Sequence, residues 1–232
     1  MGLLNLGREM KISQRPLDVI YMIDTSGSME GDKIQAVNKA MHELETMLKE
    51  EARKNPSAQV NVRIMTFGGN TARWHTDKTP IENFQYKDIY NVDGMTPLGS
   101  ALNILCMTLD TDKMPSRGLK PIIVLLSDGW PNDTWEPNMK KLLGMPWGNK
   151  ALKVAIAIGN GADRNILGQF TTDKNLVLEA NNPADLKYFI KWTSTLVSHN
   201  TKHADEEVRG FKINAPKKAP DTMLGADSKD FD

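Results

Sequence analysis

The sequence predicts a single α/β domain with a mostly parallel central sheet, and three observations support this. Short apolar runs alternate with longer segments of helical periodicity, as in proteins whose helices connect parallel strands. The run at 121–129, "PIIVLLSDG", is short and almost continuously apolar, as expected of a central strand covered on both faces. The composition, with 40% hydrophobic and 25% charged residues in 232, is ordinary for a globular protein.

The elements follow one another in a regular order. A first strand is predicted at 17–24, "LDVIYMID", and the helix predicted at 33–54 has apolar residues at intervals of three and four. Segment 59–69 alternates apolar and polar residues as a second strand would, and 71–84 is expected to be an antiparallel edge strand. The helices are expected to cover both faces of the sheet. The remaining strands are predicted at 121–129, 152–162 and 175–180, and the remaining helices at 97–109, 136–145, 164–170 and 183–199.

The hydrophobic pattern is confined to the middle of the chain. We therefore expect the domain to span 15–199, with an N-terminal arm at 1–14. Residues 200–232 are polar, contain proline and carry mixed charge, which is typical of a flexible tail.

The charge balance and the single cysteine exclude several classes of function. Basic and acidic residues number 29 each, so the net charge gives no reason to expect binding to nucleic acid or to an anionic membrane. No apolar run reaches the roughly 18–20 residues that cross a bilayer. The one cysteine, Cys106, lies in an apolar helical segment and is expected to be a packing residue, which suits a cytoplasmic location.

Two aspartates stand directly after predicted strands. Asp24 ends the first strand and Asp128 follows the strand at 121–127. In an open parallel sheet the carboxyl ends of the strands meet at one edge, where ligands bind. Burying two carboxylates side by side is costly unless a cation or hydrogen-bond donors compensate, and a divalent ion is the simplest explanation. The sequence therefore predicts a divalent ion at this edge.

The residues after Asp24 are suited to such an ion. Ser26 and Ser28 add hydroxyl oxygens, and Gly27 between them is expected to allow a tight turn. Hard ions such as Mg²⁺ prefer oxygen ligands. With so few carboxylates, the ion would retain affinity for an anionic oxygen from outside. Thr96, just before a predicted helix, is expected to be either a further ligand or the N-cap of that helix.

Three segments, "DTSGSM", "GMTPLGSAL" and "LLSDGWPND", resemble in order and spacing the motif segments of a von Willebrand factor A (vWA) domain. The resemblance covers roughly 15–199. It implies a Rossmann-like, three-layer α/β/α sandwich with one antiparallel edge strand, and a metal-ion-dependent adhesion site for Mg²⁺, or Mn²⁺ or Ca²⁺. The ligands that it implies are Asp24, Ser26, Ser28, Thr96 and, directly or through water, Asp128.

The sequences of two loops, "GMTPLGSAL" and "SDGWPND", are most similar to those of the TerY-like branch of the family, whose members act in bacterial tellurite resistance and stress response. This resemblance implies an intracellular adaptor that acts with partner proteins rather than an adhesin or an extracellular matrix component. An enzyme is not expected, because the sequence contains neither a G-x-x-x-x-G-K-[ST] loop nor a G-x-S-x-G elbow. A protein partner would offer an Asp or Glu carboxylate to the ion.

Two alternatives remain open at this stage. One is a Mg²⁺-dependent phosphoryl-transfer enzyme that uses Asp24 as its nucleophile, although such chemistry usually needs a second carboxylate where Ser26 stands. The other is a structural module in which the ion only stiffens the edge and the tail recruits partners.

The loop after Asp128 contains further candidates. Trp130 and Trp135 are expected either to bind the partner, as exposed tryptophans do at interface hot spots, or to pack over neighbouring helices. Asp133 begins "DTWE", a pattern that favours a capping box at the start of a helix over a contact with the metal.

Overall fold

The computed structural model describes residues 14–204, 213–220, 222 and 229–231. The strands are β1 (Arg15–Asp24), β2 (Ala58–Gly68), β3 (Thr71–Pro80), β4 (Ile122–Ser127), β5 (Leu152–Ile158) and β6 (Val177–Ala180). The helices are α1 (Asp32–Lys54), α2 (Leu98–Thr108), α3 (Glu136–Gly144), α4 (Pro146–Lys150), α5 (Arg164–Thr171), α6 (Pro183–Thr193) and α7 (Thr195–Lys202). None of the described helices combines the length and the hydropathy needed to cross a bilayer.

The six strands form one sheet in the order β3-β2-β1-β4-β5-β6. All neighbouring strands are parallel except β3, which is antiparallel to β2 at the edge. The predicted fold class is thereby confirmed. The strand order reverses between β1 and β4, which are direct neighbours, and such a reversal opens a crevice at the carboxyl ends of the two strands.

Both faces of the sheet are covered, which explains the apolar runs. Along β1, Tyr21 and Ile23 belong to an apolar cluster shared with α1, α6 and α7. Ile20 and Met22 point to the opposite face and join a second cluster with α2, α3 and α5. Successive residues of a strand face opposite ways, so a strand between two helical layers is apolar at every position.

Two helices differ from the predicted pattern. The helix predicted at 136–145 ends at Gly144, and a separate short helix, α4, starts at Pro146. Proline favours the first turn of a new helix and disfavours the interior of an old one. The last predicted helix divides at Ser194, and its second part continues to Lys202, beyond the expected domain boundary at 199.

The two chain ends are described only in part. Of the predicted arm, the structure describes Gln14, whose side chain donates to the Pro56 carbonyl at 3.1 Å. In the predicted tail, Ala219 and Phe231 are buried, which differs from a flexible tail. The Phe231 amide donates to the Asn181 carbonyl at 2.7 Å, so burial and a backbone hydrogen bond hold this segment to the domain. Residues 1–13, 205–212, 221, 223–228 and 232 lie outside the described part.

Candidate metal centre

The first predicted segment begins where β1 ends. Asp24 is fully buried and accepts hydrogen bonds from the Ser26 amide (2.9 Å) and the Ser127 hydroxyl (2.6 Å), one on each carboxylate oxygen. A short 3-10 turn at Gly27–Met29 follows and places the hydroxyls of Ser26 and Ser28 3.2 Å apart. Asp24 thus forms the floor of the site, and Ser28 is exposed at its mouth.

The third segment meets the first across the β1–β4 boundary. The Ser28 hydroxyl donates to one carboxylate oxygen of Asp128 at 2.7 Å. The Lys33 ammonium donates to the other at 2.9 Å. Serine hydroxyls therefore link the end of β1, which carries Asp24, to the end of β4, which is followed by Asp128.

The loop before Thr96 is held against the first segment by backbone hydrogen bonds. The Asp93 amide donates to the Thr25 carbonyl, and the Gly27 amide donates to the Gly94 carbonyl, both at 3.0 Å. Gly94 has φ +66°, and a Cβ there would lie 2.8 Å from the Gly69 Cα, so this position requires glycine. Gly27 is not left-handed, and a Cβ there would make ordinary contacts, so the expectation that Gly27 shapes the turn is wrong.

Thr96 is buried beside the same group of hydroxyls. A Cβ built on Gly129 would lie 3.6 Å from the Thr96 hydroxyl and 3.7 Å from the Ser28 hydroxyl, so both border one stretch of backbone. The Asn132 side-chain oxygen accepts from the Thr96 amide, and the Asn132 amide donates to the Thr96 carbonyl at 3.1 Å. The N-cap of α2 is Pro97, so Thr96 does not hold that position.

Asp133 caps a different helix from the one predicted. Its two carboxylate oxygens accept from the amides of Gly99 and Ser100, both at 2.8 Å, at the start of α2. Helix α3 begins at Glu136 with Trp135 as its N-cap, so the capping box predicted for it does not form. The structure therefore places Asp133 as a support for the loop of Thr96 rather than as the start of α3.

The two tryptophans of the third loop differ in environment. Trp130 is 66% exposed. Trp135 is partly buried and packs against the apolar cluster of α2, α3 and α5. Met95, next to Thr96, is also exposed. We call the surface formed by the loops of residues 26–28, Thr96 and Asp128 the metal face. It carries exposed apolar side chains in the loops of Thr96 and Asp128, whereas Trp135 is only partly exposed there.

The electrostatics of the site suit a cation. Burial raises the pKa of the Asp24 carboxyl to about 6, and the Asp128 charge adds to the rise, although hydrogen bonds from Ser127 and Ser26 oppose it. Among the described residues, no group of three or more His, Cys, Asp or Glu could hold a metal, so any ion here depends on hydroxyl ligands. Two carboxylates with hydroxyl oxygens fit a hard divalent ion.

Three supporting residues were not anticipated from the sequence. Ser127 orients Asp24, Asn132 fixes Thr96, and Lys33 pairs with Asp128. Ser127 and Asn132 lie inside the motif segments, so their closeness to the ligands was the available signal. Lys33 carried no signal, because its position in α1 resembles that of any solvated lysine.

Comparison with known proteins places the chain in a family. The sequence model of the von Willebrand factor type A domain matches residues 18–192. The chain is a member of the vWA domain family. vWA domains commonly serve as metal-dependent adhesion or protein-interaction modules. No curated protein matches the chain significantly.

Solved structures share the vWA fold at low identity. The pilus adhesin SpaC from Lactobacillus rhamnosus GG, in its open conformation, is similar with a TM-score of 0.66 and 16% identity over 81% of this chain and 30% of that one. The ArnB paralog VWA2 from Sulfolobus acidocaldarius is similar with a TM-score of 0.56 and 20% identity, over 77% of this chain and 45% of that one. Proximal thread matrix protein 1 from the mussel byssus, with a zinc-occupied MIDAS motif, is similar with a TM-score of 0.57 and 16% identity, over 80% of this chain and 46% of that one. The chain thus spans less than half of each, and the likeness is one of fold.

Proposed function

We propose that this vWA domain binds a protein partner through a divalent cation held at the carboxyl edge of its sheet. One observation carries the proposal. The carboxylates of Asp24 and Asp128, at the ends of adjacent strands, are buried and bordered by serine and threonine hydroxyls. Lys33 offsets one of the two negative charges, so the pair stays net negative and favours a further cation.

Each side chain has a separate task in this proposal. Asp24 and Asp128 supply negative charge, while Ser26, Ser28 and Thr96 supply neutral oxygen ligands. Ser127 holds Asp24 in place through its 2.6 Å hydrogen bond. A bound Mg²⁺, Mn²⁺ or Ca²⁺ supplies a Lewis-acidic position for an Asp or Glu carboxylate of the partner. Zinc is a further possibility, since the mussel byssus relative carries it in its MIDAS motif.

The surroundings of the site support recognition of a protein surface. Trp130 and Met95 are exposed in the loops of Asp128 and Thr96. Aromatic side chains and methionine are enriched at protein interfaces. Trp130 is proposed as a contact of the partner, and Trp135, which packs on the core, contributes its exposed edge.

The cellular setting is part of the proposal. We propose that the protein is a cytoplasmic adaptor of a tellurite-resistance or stress-response system. The basis is that the loop sequences "GMTPLGSAL" and "SDGWPND" resemble those of the TerY-like branch. The balanced charge agrees with a partner that is neither nucleic acid nor membrane, and the single buried cysteine agrees with a reducing compartment.

The phosphoryl-transfer alternative is disfavoured by the surroundings of Asp24. Both oxygens of this fully buried carboxylate accept one hydrogen bond each, from Ser26 and Ser127. Each oxygen keeps a second lone pair that can face a small ion, whereas attack on phosphorus needs an oxygen that a phosphate ester can approach directly. The position that would supply the second carboxylate for this chemistry is occupied by Ser26, which carries a hydroxyl. Turnover of a phosphate ester by the wild type, lost in Asp24→Asn, would restore the enzymatic alternative.

Metal binding tests the first half of the proposal. Isothermal titration with Mg²⁺ and Mn²⁺ should show one site in the wild type, and Asp24→Ala should lose at least about 100-fold in affinity, since even supporting groups of a metal site contribute about 10–100-fold. Asp77→Asn, which changes an exposed aspartate of β3, is the matched control and should bind as the wild type does. Equal affinity in Asp24→Ala and the wild type would reject the site.

Partner capture tests the second half. Proteins retained by the wild type in Mg²⁺ should be released by EDTA and should not bind Asp24→Ala. A bait that ends at residue 204, and that urea unfolding shows to be folded, should still retain them. Retention that ignores EDTA but needs the segment after 204 would favour the structural-module alternative.

A further inference from the structure

The metal face contains a positive charge that the proposed ligand set does not include. The Lys33 ammonium lies 2.9 Å from a carboxylate oxygen of Asp128 and 3.2 Å from the Ser28 carbonyl. The side chain of Lys33 is 16% exposed, and that of Asp128 is fully buried. This contact is therefore largely shielded from water, unlike an ordinary surface ion pair.

The position of Lys33 in its helix is unfavourable by itself. Lys33 is the second residue of α1, and the N-terminal end of a helix carries partial positive charge that disfavours a cation. Its side chain turns away from the helix and reaches the ends of β1 and β4. The contact with Asp128 compensates for the unfavourable helix position, so the local sequence preference yields to the tertiary ion pair.

The stem of Lys33 lies in a shaped gap. A Cβ built on Gly159, just after β5, would lie 3.8 Å from the Lys33 Cε and 3.7 Å from the Phe231 Cβ. Gly159 has φ +65°, which glycine adopts without strain. The stem therefore passes over a backbone that carries no side chain, next to a buried phenylalanine, and the ammonium group is held at the site.

We propose that Lys33 is a built-in counter-cation that weakens binding of a divalent ion and makes the loaded site selective for an anion. The inference rests on the proposed metal site. Two carboxylates against one ammonium leave a single negative charge, so a divalent ion makes the site cationic. A partner carboxylate then restores neutrality. Without Lys33 the loaded site would already be neutral, and it would attract a carboxylate less strongly.

Metal titration of lysine variants tests the inference without any partner. Lys33→Gln removes the charge and keeps a hydrogen-bond donor, and Lys33→Met keeps the apolar stem beside Gly159. Both should bind Mn²⁺ about tenfold more tightly than the wild type, because a like charge next to the ion has been removed. Lys39→Gln, which changes an exposed lysine on the same helix, controls for net charge and should leave the affinity unchanged.

A second measurement keeps metal affinity apart from folding. Circular dichroism and urea unfolding in EDTA report whether each variant folds, and either variant that folds suffices for the titration. Unchanged or weaker Mn²⁺ binding by a folded Lys33 variant would overturn the inference and leave the metal site intact. Binding by Lys33→Gln but not by the wild type would support the inference and contradict the proposed function. Absence of binding in both would overturn both.

Discussion

Trp130 and Trp135 lie five positions apart in one loop, but their side chains have different environments. Trp130 is 66% exposed on the metal face, whereas Trp135 packs against the cluster beneath α2 and α3. An exposed tryptophan adds little to the core, and this is why Trp130 is proposed as a contact of the partner rather than as a packing residue.

Alanine substitution should separate these two tryptophans. Trp130→Ala should change the free energy of unfolding by no more than about 0.5 kcal/mol, as surface changes do. Trp135→Ala should lower it by roughly 1–3 kcal/mol, because it removes apolar contacts with the core. Urea unfolding in EDTA measures both, and Trp130→Ala should also weaken partner capture while Mg²⁺ binding persists. A stability loss in Trp130→Ala that equals the loss in Trp135→Ala would return Trp130 to a packing role.

At the scale of elements, the start of α2 depends on a residue outside it. Helices begin with unpaired amide groups that need acceptors. Here Pro97 offers no side-chain acceptor, and the carboxylate of Asp133 accepts from Gly99 and Ser100 instead. The loop of Asp128 and the helix behind Thr96 are thereby fastened together, so two segments of the metal face form one support.

Removal of this carboxylate should destabilise the domain. Asp133→Ala should lower the free energy of unfolding by about 0.5–2 kcal/mol, the usual range for losing a helix cap. Urea unfolding in EDTA, with the exposed Asp77→Ala as the control, measures the effect. If Asp133 acted only as a metal ligand, its removal would leave stability in EDTA unchanged and reduce Mg²⁺ binding alone.

At the scale of the whole molecule, the described residues near the C-terminus belong to the packed domain. Phe231 is buried with the cluster of α1 and α6, and its amide pairs with Asn181 after β6. Ala219 is also buried, and its amide donates to Asp185 of α6 at 2.9 Å. A groove between α1, α6 and residues 229–231 lies along this contact, beside the helix end that carries Lys33.

Phe231→Ala should release this segment without unfolding the sheet. Hydrogen exchange at residues 229–231 should quicken and proteases should cut the segment earlier, because the buried ring and its neighbouring hydrogen bond act together. The urea midpoint of the domain should shift less than the midpoint of a core variant such as Phe189→Ala. Thr222→Ala, at an exposed position, is the control. Unchanged exchange in Phe231→Ala would mean that the segment does not depend on this side chain.

The parts of the fold that could be predicted share a local cause. The length of an apolar run fixes where a buried strand stops, and a polar residue after it marks the edge of the sheet. For that reason Asp24 and Asp128 could be located from the sequence, together with the parallel sheet and its antiparallel edge strand. The end of α3 at Gly144, before Pro146, had a visible signal but was misplaced by one residue.

The sequence by itself determined the order of the elements and the residue types of the candidate site, because periodicity and residue type are properties of short segments. Only the tertiary structure decided that Asp133 caps α2, that Lys33 reaches Asp128 across 95 positions, and that Phe231 is buried. Asp133 and Lys33 are charged residues that water would solvate equally well, and Phe231 is a lone aromatic residue in a polar segment, so none of the three contacts has a local sequence signal. These residues become neighbours only when the folded sheet brings distant segments of the chain together.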